Sequence, residues 1–140
     1  LSLRMERHVS NAEQVARFLA GHPEVVGVNY AGLPGSPWHE RAKSLAPRGT
    51  GAVLSFELAG GVEAGKSFVN ALTLHSHVAN IGDVRSLVIH PASTTHQQLS
   101  AEEQRSTGVT PGLVRLAVGL EGIDDILTDL ERGFAAVAAS

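Results

Sequence analysis

The sequence predicts a small β-sheet covered by helices, of the α/β to α+β class. Short runs rich in β-branched residues alternate with segments in which apolar residues recur at helical spacing, and glycines and prolines separate them. The length of 140 residues is enough for one hydrophobic core. We therefore expect one domain over residues 1–140, with about four or five strands and five helices.

The first half of the chain alternates between helices and strands. Apolar residues from Leu1 to Leu19 keep a helical period, and Gly21 stands where a helix commonly stops. Gly60 and Gly61 mark a turn. The predicted elements are helices over 1–20, 39–46 and 62–72, and strands over 25–30 and 52–58.

The second half follows the same patterns. Ser100 and Glu103 have the spacing of a capping box, which predicts a helix from there to about Gly108. Apolar residues from Ile123 to Phe134 give the last helix one buried stripe, and this helix extends into the alanine-rich end at 135–139. Predicted strands lie within 72–78 and over 87–90 and 113–118.

Composition excludes several functional classes. A net charge of −3 offers no basic surface for nucleic acid or an anionic membrane. The chain has no cysteine, so it forms no disulfide and has no thiolate chemistry, and we expect a cytoplasmic protein. The chain also begins without methionine and inside a helical pattern that leaves no room for a capping residue. We therefore expect it to be part of a longer protein.

Residues 60–67 match the phosphate-binding pattern G-x-x-x-x-G-K-S between a predicted strand and a predicted helix. A P-loop-like nucleotide-binding module is therefore one alternative function. Two features argue against it: Glu63 places a negative charge inside the loop, and no apolar strand ending in aspartate follows to hold magnesium.

The histidines and hydroxyl residues suggest two further sites. His75 and His77 would share one side of a strand, but a zinc site needs three or four converging ligands, so we expect no metal. Ser93 or Thr94 with His96 could form a nucleophile and its base. Hydroxyl residues that follow a proline more often satisfy a turn, and we favour that interpretation.

Arg115 stands alone within an apolar predicted strand. A guanidinium there is costly to bury unless an anion meets it. Residue types alone leave a structural salt bridge and a ligand-binding site equally open.

Four stretches, 3–12, 51–72, 76–99 and 108–130, resemble the Cys/Met-metabolism family of pyridoxal-phosphate (PLP) enzymes, and HPASTTH and VRLAVGLE are its most specific motifs. The resemblance is strongest to the O-acetylhomoserine sulfhydrylase branch. It implies the C-terminal domain of the fold type I, aminotransferase-like architecture, with a small mixed or antiparallel sheet. The larger PLP-binding domain would precede this chain.

The resemblance also assigns substrate-binding roles. It implies that Arg115 binds the substrate α-carboxylate and that Ser86 contacts the same carboxylate, with the backbone of Leu87 beside it. It also implies that Thr95 stabilises the residues that contact the substrate, without contacting it directly. It implies no catalytic residue in this chain, because the family's Schiff-base lysine has no counterpart: Lys43 and Lys66 are the only lysines, and neither lies in the family's lysine motif.

The implied function is that of an intact, homotetrameric PLP enzyme of methionine biosynthesis, which converts O-acetylhomoserine and sulfide to homocysteine and acetate. A cystathionine γ-synthase or γ-lyase of the same family is the alternative, because these enzymes share the carboxylate site. In isolation the chain would be an inactive packing domain, because it has half of a substrate site and no cofactor site.

Overall fold

The computed structural model describes residues 1–140 as five strands and five α-helices around one sheet. The strands are β1 (Val25–Asn29), β2 (Val53–Leu58), β3 (Ser76–His77), β4 (Leu87–Ile89) and β5 (Leu113–Ala117). The helices are α1 (Ser2–Ala20), α2 (His39–Leu45), α3 (Gly61–Ala71), α4 (Ala101–Ser106) and α5 (Ile123–Ala138), and a 3-10 turn covers Pro91–Ser93. Every predicted element is confirmed, with ends that differ by at most about two residues, as is usual for helix boundaries.

The five strands form one mixed sheet in the order β1-β2-β5-β4-β3. Only β3 and β4 run parallel, and the other neighbours are antiparallel. The last strand in sequence therefore lies in the centre of the sheet, between β2 and β4. In this register Arg115 is directly opposite Ser55 on one side and Ile89 on the other.

One face of the sheet packs against α1, α3 and α5. Val114 and Leu116 of β5 are fully buried on this face, and the ring of Phe56 meets that of Phe68 edge-on at 5.4 Å. Because side chains alternate along a strand, Arg115 points to the opposite face, away from these helices. The helices α2 and α4 contribute no buried residue and lie on the surface.

Two helix-end predictions can be compared with the local geometry. The amide of Glu103 donates to the Ser100 hydroxyl at 3.3 Å and the amide of Ser100 donates to the Glu103 carboxylate at 2.8 Å, which confirms the capping box. Gly21 ends α1 as predicted, but its φ of −90° is open to any residue, so the left-handed conformation typical of a glycine stop is not used. None of the five helices combines the length and hydropathy needed to cross a membrane.

Candidate functional site: a cleft around Arg115

A row of polar side chains crosses the face of the sheet opposite the three packed helices. Asn29 of β1 pairs with Ser55 of β2, and Ser55 pairs with Arg115 of β5. The side-chain amide of Asn29 donates from Nδ2 to the Ser55 hydroxyl at 3.3 Å. Neighbouring strands are separated by about 4.8 Å, so the three residues form one continuous polar strip that ends at the guanidinium.

Arg115 and its neighbours enclose a cleft of about 310 Å³, hereafter the Arg115 cleft. The sheet provides the floor, and the segment that follows the 3-10 turn provides a wall with Thr95 and His96. No aspartate or glutamate lines the cleft. The lining residues are Asn29, Val53, Leu54, Ser55, Ile89, Pro91, Thr95, His96, Val109, Leu113 and Arg115.

The guanidinium of Arg115 is partly buried and has no hydrogen-bond or ion-pair partner in the chain. Five ion pairs and the buried His75–Asp129 contact occur elsewhere, and none includes Arg115. The structural salt bridge that the sequence left open is therefore absent. A partly desolvated fork of five donors without an acceptor is suited to bind a planar anion such as a carboxylate.

Thr95 belongs to the cleft itself. The sequence predicts a supporting position behind the site, whereas the structure puts Thr95 in the wall, with its hydroxyl 2.9 Å from Nδ1 of His96. His96, together with Asn29 and Ser55, was missed as a site residue. Only strand register could have revealed the two sheet residues, because they lie more than 50 residues from Arg115 in the chain.

Ser86 and Leu87 are outside the Arg115 cleft. The Ser86 hydroxyl is fully buried, donates to the Glu121 carboxylate at 2.9 Å and accepts from the Gly119 amide at 2.9 Å. The Ser86 amide donates to the same carboxylate at 2.6 Å. Of the four predicted residues, the structure therefore brings only Arg115 and Thr95 together in the cleft. The hydrogen-bonding groups of Ser86 already have partners within the chain. A direct contact of Ser86 or Leu87 with substrate stays a prediction.

The P-loop-like alternative is contradicted by local structure. Only Ala59 and Gly60 separate β2 from α3, and the motif residues from Gly61 onward are helical. The Lys66 ammonium binds Glu63 at 3.1 Å on the exposed side of the helix. A phosphate-binding loop needs several free backbone N–H groups in a wide turn, and this two-residue connection cannot provide them.

The structure agrees with the turn interpretation of the hydroxyl residues, and its histidines do not gather into a cluster of metal-ligating side chains. The Thr94 hydroxyl donates to the His90 carbonyl at 2.8 Å, so it satisfies the turn. Nδ1 of His75 is 2.8 Å from the buried Asp129 carboxylate. No group of three or more His, Cys, Asp or Glu residues is arranged to hold a metal ion.

The Arg115 cleft suits a planar anion, and its lining contains no lysine that could bind PLP. Neither lysine lines the Arg115 cleft. Lys43 and Lys66 are on helices and pair with Glu40 at 3.7 Å and Glu63 at 3.1 Å. The chain therefore offers no lysine at the cleft to bind PLP.

Comparison with known proteins gives a family match over nearly the whole chain. The family model described as Cys/Met metabolism PLP-dependent enzyme matches residues 1–135. The O-acetyl-L-homoserine sulfhydrylase of Leptospira meyeri is 59% identical over 94% of this chain and 30% of that protein, and that of Corynebacterium glutamicum is 55% identical over 98% and 31%. An L-methionine γ-lyase of Fusobacterium nucleatum is 50% identical over 94% of this chain and 33% of that protein. The chain spans about a third of the length of these relatives.

Solved structures give the same fold. A Campylobacter jejuni protein described as an O-acetylhomoserine (thiol)-lyase, whose structure contains a pyridoxyl-lysine monophosphate, superposes with a TM-score of 0.88 at 41% identity over 96% of this chain and 32% of that one. The cystathionine γ-lyase of Lactobacillus plantarum complexed with L-serine has a TM-score of 0.88 at 37% identity over 98% and 35%. The predicted fold type I, C-terminal-domain architecture is thereby confirmed.

Proposed function

Because the chain belongs to the Cys/Met-metabolism family of PLP-dependent enzymes, we propose that it is the C-terminal, substrate-carboxylate domain of such an enzyme. The observation that supports this role is the unpaired Arg115 guanidinium in a cleft with no acidic lining residue. The PLP-binding lysine and the larger domain belong to another part of the same polypeptide, and the assembly is a cytoplasmic homotetramer.

Arg115 binds the α-carboxylate of the amino-acid substrate through two parallel hydrogen bonds. The site is preorganised because β5 lies in the centre of the sheet, with β2 and β4 hydrogen-bonded on either side. Thr95 and His96 limit the space beside the bound carboxylate, and Ser55 lies next to it on the floor. Fixing the carboxylate at one point orients the Cα–H bond of the substrate.

The cofactor chemistry is outside this chain. PLP, when bound in the intact enzyme, serves as the electron sink for bond cleavage at the substrate. The residues of this chain bind and orient the substrate, and none of them transfers a proton. We therefore expect the isolated chain to be inactive.

The proposed reaction converts O-acetylhomoserine and sulfide to homocysteine and acetate, a step of methionine biosynthesis. The relatives with 55% and 59% identity, which are named O-acetyl-L-homoserine sulfhydrylase, support this branch. A cystathionine γ-synthase or γ-lyase is the second candidate. The cystathionine γ-lyase structure with bound L-serine, at 37% identity, supports it only as a member of the same family.

Steady-state kinetics of the intact, PLP-loaded enzyme distinguish the two candidates. With O-acetylhomoserine as the first substrate, we expect kcat/KM for sulfide to exceed kcat/KM for L-cysteine. Preferential formation of cystathionine from cysteine, or cleavage of cystathionine without acetate release, would favour the second candidate.

A further inference from the structure

The ring of His90 is fully buried behind the Arg115 cleft and both of its nitrogens have a partner. Nε2 is 2.6 Å from the Pro111 carbonyl oxygen, and Nδ1 is 2.7 Å from the Ser93 hydroxyl. A carbonyl oxygen can only accept, so Nε2 must donate its hydrogen to Pro111. Burial lowers the pKa of His90 and so favours the neutral imidazole, in which Nδ1 accepts from the Ser93 hydroxyl and the ring has a single tautomer.

These two partners belong to the segments that form the two sides of the cleft. Ser93 ends the 3-10 turn, which leads directly to Thr95 and His96. Pro111 precedes β5, which begins at Leu113 and carries Arg115. The His90 ring therefore connects the wall with Thr95 to the strand with Arg115.

A third contact fixes the ring against α3. Gly65 packs so closely that a Cβ atom at this position would be 2.4 Å from His90 Nε2 and 2.5 Å from Cδ2. Such distances do not occur between non-bonded heavy atoms, so only glycine leaves room for the ring. This explains the glycine of the G-K-S pattern without a phosphate: Gly65 makes space for an imidazole.

We propose that His90 is a positioning residue for the Arg115 cleft and that Gly65 holds its ring in place. The ring does not line the cleft. It acts by fixing the separation between the wall that contains Thr95 and the strand that contains Arg115, and so it sets the affinity for the substrate carboxylate. This inference rests on the proposed function of the cleft.

Three variants of the intact protein test this role. His90→Leu removes the donor to the Pro111 carbonyl, whereas His90→Gln keeps a donor of similar reach. Gly65→Ala leaves the histidine intact but displaces its ring. Gly35→Ala is the matched control, because a Cβ there would meet no atom within 4 Å and Gly35 is not part of the cleft.

Two quantities are measured for each variant. The first is the dissociation constant of the unreactive amino acid L-norvaline, determined by calorimetry on the PLP-free protein well below its melting temperature. The second is the melting temperature of the variant. Leaving a buried carbonyl without its donor should raise the dissociation constant about tenfold in His90→Leu. Gly65→Ala should raise it by a similar factor, His90→Gln should recover it to within about threefold, and Gly35→Ala should match the wild type.

The outcomes separate positioning from folding. Lower melting temperatures in His90→Leu and Gly65→Ala with an unchanged dissociation constant would show that His90 serves the fold only, and would overturn the inference. If His90→Leu does not fold, Gly65→Ala and His90→Gln decide the question. Unchanged norvaline binding in Arg115→Ala would instead refute the carboxylate site itself, and this inference with it.

Discussion

Replacing Arg115 by alanine in the intact enzyme should reduce kcat/KM for O-acetylhomoserine more than any other single change in this chain. The guanidinium has no partner within the chain, so its removal leaves no protein carboxylate unpaired. The loss falls on the substrate, whose α-carboxylate would enter a partly desolvated cleft without a counter-charge. Truncating one member of such a pair typically costs about 2–5 kcal/mol.

This free energy corresponds to a decrease in kcat/KM of about one and a half to three and a half decades. Arg115→Lys should recover only part of the loss, because an ammonium cannot reproduce the two parallel hydrogen bonds of the fork. Arg41→Ala is a suitable control, since Arg41 is exposed on the surface helix α2, has no ion pair and is outside the cleft.

The assay is steady-state kinetics with PLP absorbance recorded in parallel. We expect full cofactor occupancy in Arg115→Ala, because no residue of this chain is proposed to bind PLP. Near-normal kcat/KM would refute the reasoning and show that the carboxylate is bound elsewhere. Loss of PLP absorbance would show that Arg115 supports the structure of the holoenzyme.

Three further predictions concern the fold and the rejected motif. Burial lowers the pKa of His75 and His90 below 6.5, so the unfolded chain takes up protons that the folded chain does not. The stability that these two groups contribute should therefore be present above pH 6.5 and should decrease as the pH falls below it. Thermal unfolding measures this, and a melting temperature that rises on acidification would contradict the prediction. Asp129→Ala should destabilise the chain by about 3 kcal/mol or more in urea unfolding, because it leaves the buried amide and ring N–H of His75 and the part-buried amide of Thr73 without their acceptor. A loss below about 1 kcal/mol would show that water replaces the carboxylate. Calorimetry with ATP should detect no binding to the wild type or to Lys66→Ala, and micromolar binding that disappears in the variant would restore the P-loop interpretation.

Local sequence patterns predicted the elements well, because their causes are local. The capping box at Ser100 and the apolar stripe of α5 each depend on residues within a few turns of one helix. The solitary charge in an apolar strand likewise marked Arg115 without any knowledge of its neighbours. The structure added that Arg115 has no ion-pair partner, which the sequence could not establish.

Long-range pairing explains what the sequence could not provide. Asn29 and Ser55 join the site only because β1, β2 and β5 are adjacent in one register. Ser86 is hydrogen-bonded to Glu121, which lies 35 residues further along the chain. Gly65 illustrates the reverse case, in which a motif pointed to phosphate while the glycine in fact accommodates the His90 ring. Such contacts depend on which segments meet, and local propensity does not encode that.

The central claim is that Arg115 recognises the carboxylate of the substrate, and one comparison tests it directly. It measures kcat/KM for O-acetylhomoserine and for its α-carboxamide, with the wild-type enzyme and with Arg115→Ala. The wild type should prefer the acid by about one and a half decades or more, and the variant should treat the two substrates nearly alike. A variant that keeps the full preference for the acid would contradict the account, because the carboxylate would then be recognised by another group.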